Sequence, residues 1–406
     1  MNFFKSQPKV DASPEKIKAL LTRGVEDIFV KEHLEAQLKS GKPLRVKLGF
    51  DPTGSKIHIG RAIALRKLRA FQDLGHQIVF IVGDFTAQIG DPSDKLEKRP
   101  MLTKEKIQEN IKNYKSQVGK IVDVSKAEFV FNSDWLGKLG FGEIANLAES
   151  FSLQQMLARR NFADRVEKNQ EISLREMLYP LMQGYDSVAV KADVEIGGFD
   201  QLFNLKAGRI IQRHYGEKEQ DVLTIAMLEG TDGRKMSTSW GNVINISDES
   251  FDMYGKIMSI RDDLIAKYFL LCTDVSENEI EKMKAEMAGG ANPKDFKMRL
   301  AREIVALYHG ADEAQKAEAN FANTFSKGGV PEEIKTVKVA VGALLVDILL
   351  AEKLVESKTD FRRLEKEGAI TFVESGAKIS GPDAKAEQSA TLKIGKRRFL
   401  KIEVTR

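Results

Sequence analysis

Apolar and polar positions along the chain change period several times, and each change marks an element. The first forty or so residues read as amphipathic helix. Pro14 follows Ser13 as at a helix start, and Val25, Ile28 and Phe29 keep helical spacing. Leu44 to Phe50 alternates apolar and basic residues, as a strand does. Ile57 to Leu74 returns to helical spacing, with Leu65, Leu68 and Phe71 on one face. From Gln77 to Phe85 the apolar run is continuous and β-branched (Ile78, Val79, Phe80, Ile81, Val82), as in a buried parallel strand. Strand, helix and strand in this order form a βαβ unit and predict an α/β fold with a parallel sheet. Lys126 to Phe131 and Leu223 to Leu228 are further short strands, the second ending at a Gly/Asp-rich loop, Glu229 to Gly233.

After Asn245 the pattern changes. Residues 248–325 contain no clear strand, and Tyr254, Ile257, Met258 and Leu264, then Tyr268, Leu270 and Leu271, fit helices, as do Lys282 to Ala288 and Phe296 to Tyr308. Gly328, Gly329 and Pro331 mark a linker. Beyond it, Val346 to Leu354 and Asp360 to Lys366 read as helices, and 369–373 and 391–404 as strands. No internal repeat or low-complexity tract interrupts the chain.

Composition narrows the class. A chain of 406 residues with 42% hydrophobic content builds its core without staples, and its one cysteine, Cys272, forms neither an internal disulfide nor a thiolate zinc site. No apolar run approaches a membrane span, and the start Met1-Asn2-Phe3-Phe4-Lys5 lacks a signal-peptide core, so a cytoplasmic protein is expected. The net charge of +4 is uninformative until it is divided. Lys335 to Arg406 holds 15 basic and 10 acidic residues, leaving 48 and 49 for the 334 residues before it. The positive excess therefore sits at the C-terminal end, whose closing stretch Lys393, Lys396, Arg397, Arg398 and Lys401 also carries Phe399. Such a patch suits a phosphate backbone, or equally a solvated lysine-rich surface.

Five stretches carry candidate chemistry. Asp51-Pro52-Thr53-Gly54-Ser55-Lys56-Ile57-His58-Ile59-Gly60-Arg61 joins a strand to a helix, whose N-terminus offers unpaired N–H groups to phosphate. There Gly60 lets a flat ring approach, while His58 and Arg61 face negative charge; alternatively His58 is simply a helix cap. Gly90-Asp91-Pro92-Ser93-Asp94-Lys95, with Arg99 beyond, follows the buried strand, where open α/β sheets carry ligand loops. Asp91 can hold an ammonium group, and Lys95 and Arg99 a polyphosphate; taken alone, the stretch reads as well as a polar loop with an ordinary surface charge cluster. Tyr179, Gln183 and Asp186 lie at i, i+4 and i+7 on one helix face, with Gly184 beside them leaving room for a ligand. Ile196-Gly197-Gly198-Phe199-Asp200-Gln201 offers close backbone approach, a carboxylate for a ribose diol and an amide. Gly233-Arg234-Lys235-Met236-Ser237-Thr238-Ser239, then Gly241-Asn242, is a hydroxyl-rich loop that presents Lys235 to solvent and can close on a triphosphate.

In this order and spacing the five stretches resemble the tyrosyl-tRNA synthetase family of class I aminoacyl-tRNA synthetases. Ile57 to Arg61 resembles the HIGH motif and Lys235 to Ser239 the KMSKS loop; the Tyr179–Asp186 helix and the Gly-Gly-x-Asp-Gln turn resemble the tyrosine form of the pocket. The tail, Leu354 to Phe372 with Ser357, Asp360, Arg362-Arg363-Leu364 and Gly368-Ala369-Ile370, resembles the small RNA-binding module first known from ribosomal protein S-four. The resemblance implies a Rossmann-like catalytic domain over residues 1–246, a helical anticodon-arm domain over 247–328 and an α+β RNA-binding module over 338–406. An insertion over about 100–178, apolar at Phe151, Leu153, Met156 and Leu157, is implied to form a homodimer interface.

The implied reaction is activation of L-tyrosine by ATP with magnesium, no metal being tightly held by the protein, followed by transfer to the terminal adenosine of tRNA(Tyr). Asp91, Tyr179 and Gln183 are implied to hold the tyrosine ammonium, Asp186 the phenol and Gln201 the carboxylate region, with Gly49 also lining the tyrosine site. Asp200 and Gly198 are implied to meet the ribose. His58, Thr53, Lys95, Arg99 and Lys235 are implied to stabilise the triphosphate. Asp51, Gly60, Arg61, Met236, Ser237, Thr238 and Ser239 complete the ATP site, and Arg362, Arg363, Lys396, Arg397 and Arg398 grip RNA. Carboxylate is already nucleophilic, so no activated serine or cysteine is required, and catalysis is positioning plus charge stabilisation.

The chain departs from the family pattern at named positions. Arg61 replaces the second histidine of HIGH, Thr238 the second lysine of KMSKS, and Phe199 a small hydroxyl residue. Lys47 stands where many members place a tyrosine that touches the substrate phenol. The tryptophan enzyme of the same fold differs at the Gln183–Asp186 helix. A nucleotidylyl transferase has no use for 338–406 or for Lys235 to Ser239. A non-catalytic RNA-binding descendant is expected to have lost Asp186, Asp200 or Lys235, all of which are present.

Overall fold

A computed structural model describes residues 10–92, 101–323, 334–379, 381–395 and 398–405. The chain divides into two compact units, Met1–Asp248 with Ile260–Phe296, and Glu249–Ser259 with Lys297–Arg406.

The first unit is built on a six-stranded sheet: β1 (Val25–Phe29), β2 (Arg45–Phe50), β3 (Gln77–Val82), β4 (Ala127–Phe131), β5 (Val194–Gly198) and β6 (Asp221–Ile225), in the order β1-β6-β5-β2-β3-β4. All neighbours are parallel except β1, which closes the edge antiparallel to β6. Val79, Phe80 and Ile81 of β3 are fully buried, as their continuous apolar run requires, and Leu48 and Val194 are buried in strands that also carry Lys47 and Glu195. Helix Ile59–Asp73 buries Leu65, Leu68 and Phe71, the face read from its periodicity. Because β2 pairs with β3 on one side and β5 on the other, the chain reverses its winding between β2 and β5. Open α/β sheets place ligands at the C-terminal strand ends of such a switch.

The sequence misreads one element at this level and passes over another. Val25, Ile28 and Phe29 lie in β1, not in a helix. Helix Pro14–Thr22 stops before Gly24, which takes a left-handed φ of 66°, and the next residues gain more by pairing with β6 than by continuing a helix. The second is β5, a central strand that carries Glu195 and ends in Gly197-Gly198, so its sequence looks like a turn. Helices Ile265–Cys272 and Glu277–Ala288 also belong to this unit.

In the second unit, helices Ser250–Met258 and Ala311–Phe321 pack together, with Tyr254 against Phe321. The sequence between them and the final module, including Gly328, Gly329 and Pro331, lies outside the described residues. The module comprises β7 (Thr336–Ala340), β8 (Ala343–Leu344), β9 (Ile370–Phe372), β10 (Lys385–Ala386), β11 (Ala390–Ile394) and β12 (Arg398–Thr405), with helices Leu345–Ala351 and Lys358–Lys366. Its main sheet runs β7-β12-β11-β9, and its core gathers Leu345, Phe361, Ile370, Leu392 and Leu400. Ser357 caps the second helix by accepting from Asp360 N, and Gly368 leaves it with a φ of 63°.

Candidate active site

The described parts of the five motifs are joined through Tyr179–Asp51, Gln201–Asp91 and Lys235–Asp200, beyond the C-terminal ends of the parallel strands. Gly49 is exposed although Val46, Lys47 and Leu48 before it are buried, so the backbone of β2 is open at this end. The turn that follows is held from below. Asn110 donates to Pro52 O, Gln117 donates to Ser55 O and accepts from Ile57 N, and Ile59 N and Ile246 N pair with Ile244 O and Ile57 O. The last two bonds tie the HIGH-like turn to the segment that follows the Lys235 loop.

His58 caps helix Ile59–Asp73, its Nδ1 accepting from Arg61 N at 3.3 Å. Burial, with Arg61 and Lys235 adding positive charge, pushes the imidazole down to about 3. It is therefore neutral at physiological pH, and because Nδ1 accepts, the proton sits on Nε2. The cap and a phosphate donor are thus compatible roles of one ring. A Cβ on Gly60 would come within 3.1 Å of that ring and 3.4 Å of Met236 Sδ, so Gly60 makes room for His58 as well as for any ligand.

Arg61 spends its guanidinium inside the turn: it donates to Asp51 O, Thr53 Oγ1 and Tyr114 Oη and lies over the Phe50 ring. Lys235 is partly exposed, its side chain 36% accessible, but it is not free. Its Nζ sits 2.7 Å from Asp200 Oδ2, so the lysine and aspartate read separately from sequence form one ion pair. A Cβ on Gly198 would collide with the Asp200 carboxylate. Asn242 clasps the loop, accepting from Ser237 N and donating to Asp232 Oδ1 and Lys235 O. Met236 is buried, and Thr238 packs beside Gly54. Lys95, Arg99 and the side chain of Ser239 lie outside the described residues.

A continuous chain of hydrogen bonds links Tyr179 to Asp186. Tyr179 Oη donates to Asp51 Oδ2 at 2.9 Å, Thr86 Oγ1 donates to Asp51 Oδ1 at 2.7 Å, and Asn132 Nδ2 donates to Thr86 Oγ1 and to Asp186 Oδ2. Trp135 Nε1 closes it on Asp186 Oδ1 at 2.8 Å. Burial pushes Asp186 up to about 7 and Asp51 up to about 6; Lys47 works against the first shift, and the Thr86 hydrogen bond against the second. Burial likewise raises Tyr179, which remains a phenol donor. Asp91 accepts from Gln201 Nε2 and Asn204 Nδ2, and Arg159 reaches the same Asn204.

The helix face of Tyr179, Gln183 and Asp186 is confirmed in helix Leu174–Ala189, but Gly184 is not ligand space. A Cβ there would run into Ile211 Cδ1 and approach the Ala207 backbone to 3.2 Å, so the glycine serves close packing against helix Leu202–His214. Lys47 does not present its ammonium as the usual tyrosine presents its hydroxyl; its Nζ bonds Gln183 O, Ser187 Oγ and Glu195. Asn132, Trp135, Glu195, Asn204 and Arg159 escaped the sequence reading. Asn132 and Trp135 directly follow the end of β4, a position that could have flagged them.

In the C-terminal module Arg362 is exposed, while Arg363 is held by Asp360 at 2.7 Å and Glu367 at 3.0 Å. Arg398 bonds Leu354 O. Lys396 and Arg397 lie outside the described residues.

Residues 39–326 match the family model described as tRNA synthetases class I (W and Y). Over 394 residues the chain is 44% identical to the tyrosine–tRNA ligase of Thermotoga maritima, covering 96% of this chain and 98% of that protein. It is 44% identical to tyrosine–tRNA ligase 2 of Vibrio cholerae over 397 residues, 97% and 100% of the two chains. Among solved structures, a tyrosyl-tRNA synthetase complexed with L-tyrosine from Archaeoglobus fulgidus matches with TM-score 0.60 at 22% identity, covering 76% of this chain and 100% of that one. A C-terminally truncated mitochondrial tyrosyl-tRNA synthetase of Aspergillus nidulans matches with TM-score 0.63 at 21% identity, covering 76% and 94%. At those identities the structural likeness speaks for the fold.

Proposed function

The chain belongs to the tyrosyl-tRNA synthetase family of class I enzymes, which activate tyrosine with ATP and charge tRNA, and from that premise we propose how its residues divide the work. Asp91, Tyr179 and the Gln183 carbonyl hold the tyrosine ammonium, Gln201 the carboxylate region and Asp186 the phenol, over the open backbone of Gly49. The carboxylate attacks the α-phosphorus, forming the acyl–phosphate bond as pyrophosphate leaves. A hydroxyl of the terminal adenosine of tRNA(Tyr) then attacks the acyl carbon, and AMP departs.

Neutral His58 donates through Nε2 to a phosphate oxygen, and Thr53, Lys95, Arg99 and Lys235 share the charge that builds on the leaving pyrophosphate. Gly60, Arg61, Gly198, Met236, Ser237, Thr238 and Ser239 form the rest of the ATP wall, whereas Asp51, expected there from the sequence, bonds Tyr179 and Thr86 and so belongs with the tyrosine side. Arg61 stiffens the turn through its bonds to Thr53 and Asp51. The Lys235–Asp200 pair makes these two roles sequential: the ATP ribose takes Asp200 and so releases Lys235 toward the phosphates. Magnesium accompanies the nucleotide and offsets phosphate charge; among the described residues no group of three or more His, Cys, Asp or Glu side chains forms a metal site.

The helices between 247 and 328 are assigned to the anticodon arm and the 338–406 module, through Arg362, Arg363, Lys396, Arg397 and Arg398, to tRNA. A homodimer through the 100–178 insertion is supported by the exposure there of Phe141 (89%), Leu153 (57%) and Leu174 (77%). We assign the chain to the cytoplasm, where tRNA is charged; separately, no helix among the described residues is long and apolar enough to cross a membrane.

The observation that carries the residue assignment is the hydrogen-bonded chain from Tyr179 through Asp51, Thr86 and Asn132 to Asp186, which links the residue assigned to the ammonium with the one assigned to the phenol. Amino-acid-dependent exchange of pyrophosphate into ATP tests it. Tyrosine alone should support exchange, and Asp186→Ala should abolish selection against phenylalanine. Exchange driven by tryptophan, or selectivity unchanged in that variant, overturns the assignment.

A further inference from the structure

Lys47 in β2 and Glu195 in β5 stand opposite each other in register across the switch between the two halves of the sheet. Their side chains are 1% and 2% exposed, with Nζ 3.0 Å from Oε1. Lys47 also donates to Ser187 Oγ at 2.7 Å and to Gln183 O at 2.9 Å. The Glu195 carboxylate accepts in addition from Gln183 Nε2 at 3.0 Å on Oε1, and from Ser187 Oγ and Gln220 Nε2 on Oε2.

This geometry constrains the chemistry of Gln183. A carboxylate only accepts hydrogen bonds, so the amide edge that faces Glu195 must be the NH2. The carbonyl oxygen is then the edge left for a ligand, and a carbonyl is what an ammonium needs. A glutamine free to flip would present its NH2 half the time and repel that ammonium. Glu195 cannot be buried as an anion alone; Lys47 supplies the matching charge and also anchors the Gln183 backbone.

We propose that the buried Lys47–Glu195 pair is a positioning element that locks the side-chain amide of Gln183 with its oxygen toward the substrate ammonium. The inference rests on the assignment of Gln183 to the tyrosine ammonium. Neither Lys47 nor Glu195 touches substrate; both act through Gln183. It also gives Lys47 a task at a position where the family pattern has a phenol, and explains an acidic residue in the middle of a central strand.

The test compares binding of tyrosine with that of its desamino analogue by competition against pyrophosphate exchange. The charge-balanced variant Lys47→Met/Glu195→Gln leaves no lone buried charge and allows the Gln183 amide to face either way. It should weaken tyrosine by about tenfold, the scale of one hydrogen bond to a charged group, and leave the desamino analogue within about twofold. Glu195→Gln alone is the second variant, and thermal melting reports folding of each. Equal weakening of both ligands, or an unchanged ratio, overturns the proposal. Gln183→Ala in the same assay separates the premise from the inference: if it leaves the ratio untouched, the assignment of Gln183 is wrong. If it collapses the ratio while the folded double variant does not, the assignment stands and the Lys47–Glu195 role is wrong.

Discussion

Asp186 holds its proton up to about pH 7 because burial outweighs the bonds from Trp135 and Asn132 and the charge of Lys47. The same carboxyl in the unfolded chain ionises near 3.8. Between these values the folded state binds more protons, so this group makes stability fall as pH rises, and the loss is complete above about 7. Asp186→Asn removes that penalty. Urea unfolding should show the variant gaining about 1–3 kcal/mol relative to the parent between pH 5 and pH 8, at one pKa unit per 1.4 kcal/mol, while tyrosine binding falls. A difference that stays constant with pH counts against a buried, proton-holding Asp186. His58 behaves oppositely. Held down to about 3, it should contribute no inflection near pH 6.5 to the rate of pyrophosphate exchange. His58→Asn keeps an acceptor for the helix cap and a donor for phosphate, so it should retain about tenfold more exchange than His58→Ala, which loses both.

At the scale of elements, the seam between helices Leu174–Ala189 and Leu202–His214 decides how the substrate-facing residues are presented. Gly184 lies in that seam, where added volume meets both a movable Ile211 methyl and an immovable Ala207 backbone. Gly184→Ala should therefore cost about 1–3 kcal/mol by urea unfolding, with Ile211→Val restoring part of it by removing the Cδ1 atom. A shift in tyrosine KM without loss of stability would return Gly184 to the ligand. Periodicity identified β3 and helix Ile59–Asp73 because their burial is regular and local; it also found β2 and β4, although Lys47 of β2 is buried where alternation expects exposure. It misassigned β1, whose Val25, Ile28 and Phe29 fit a helix as well as an edge strand, and passed over β5, whose Glu195 breaks the apolar run. In both cases the choice depends on a partner strand far along the chain.

At the scale of the whole molecule, charge is divided, with the positive excess at the C-terminal end, and the proposed division of tasks follows it. Removal of residues 338–406 should weaken tRNA charging and leave pyrophosphate exchange nearly intact; loss of exchange would assign the module a structural role. Within the module Arg363 already serves Asp360 and Glu367, whereas Arg362 is exposed. Arg362→Ala should therefore lower tRNA affinity and flatten its salt dependence more than Arg363→Ala, read from binding over a salt series. A solution mass that stays monomeric at every concentration would remove the homodimer and leave Phe141, Leu153 and Leu174 without a partner.

The sequence by itself determined the family, the order of the motifs and the placing of Tyr179, Gln183 and Asp186 on one face, because spacing along a helix is a local property. It also located the basic end, since charge adds along a chain. Only the tertiary structure decided which of these residues meet. Lys235 lies on Asp200, Tyr179 on Asp51, and Lys47 on Glu195, pairs separated by 35, 128 and 148 residues. No period in the sequence encodes such distances. They follow from the strand order, which sets β2 beside β5, and, for Lys47 and Glu195, from burial, which obliges a polar group carried inside to find a partner there.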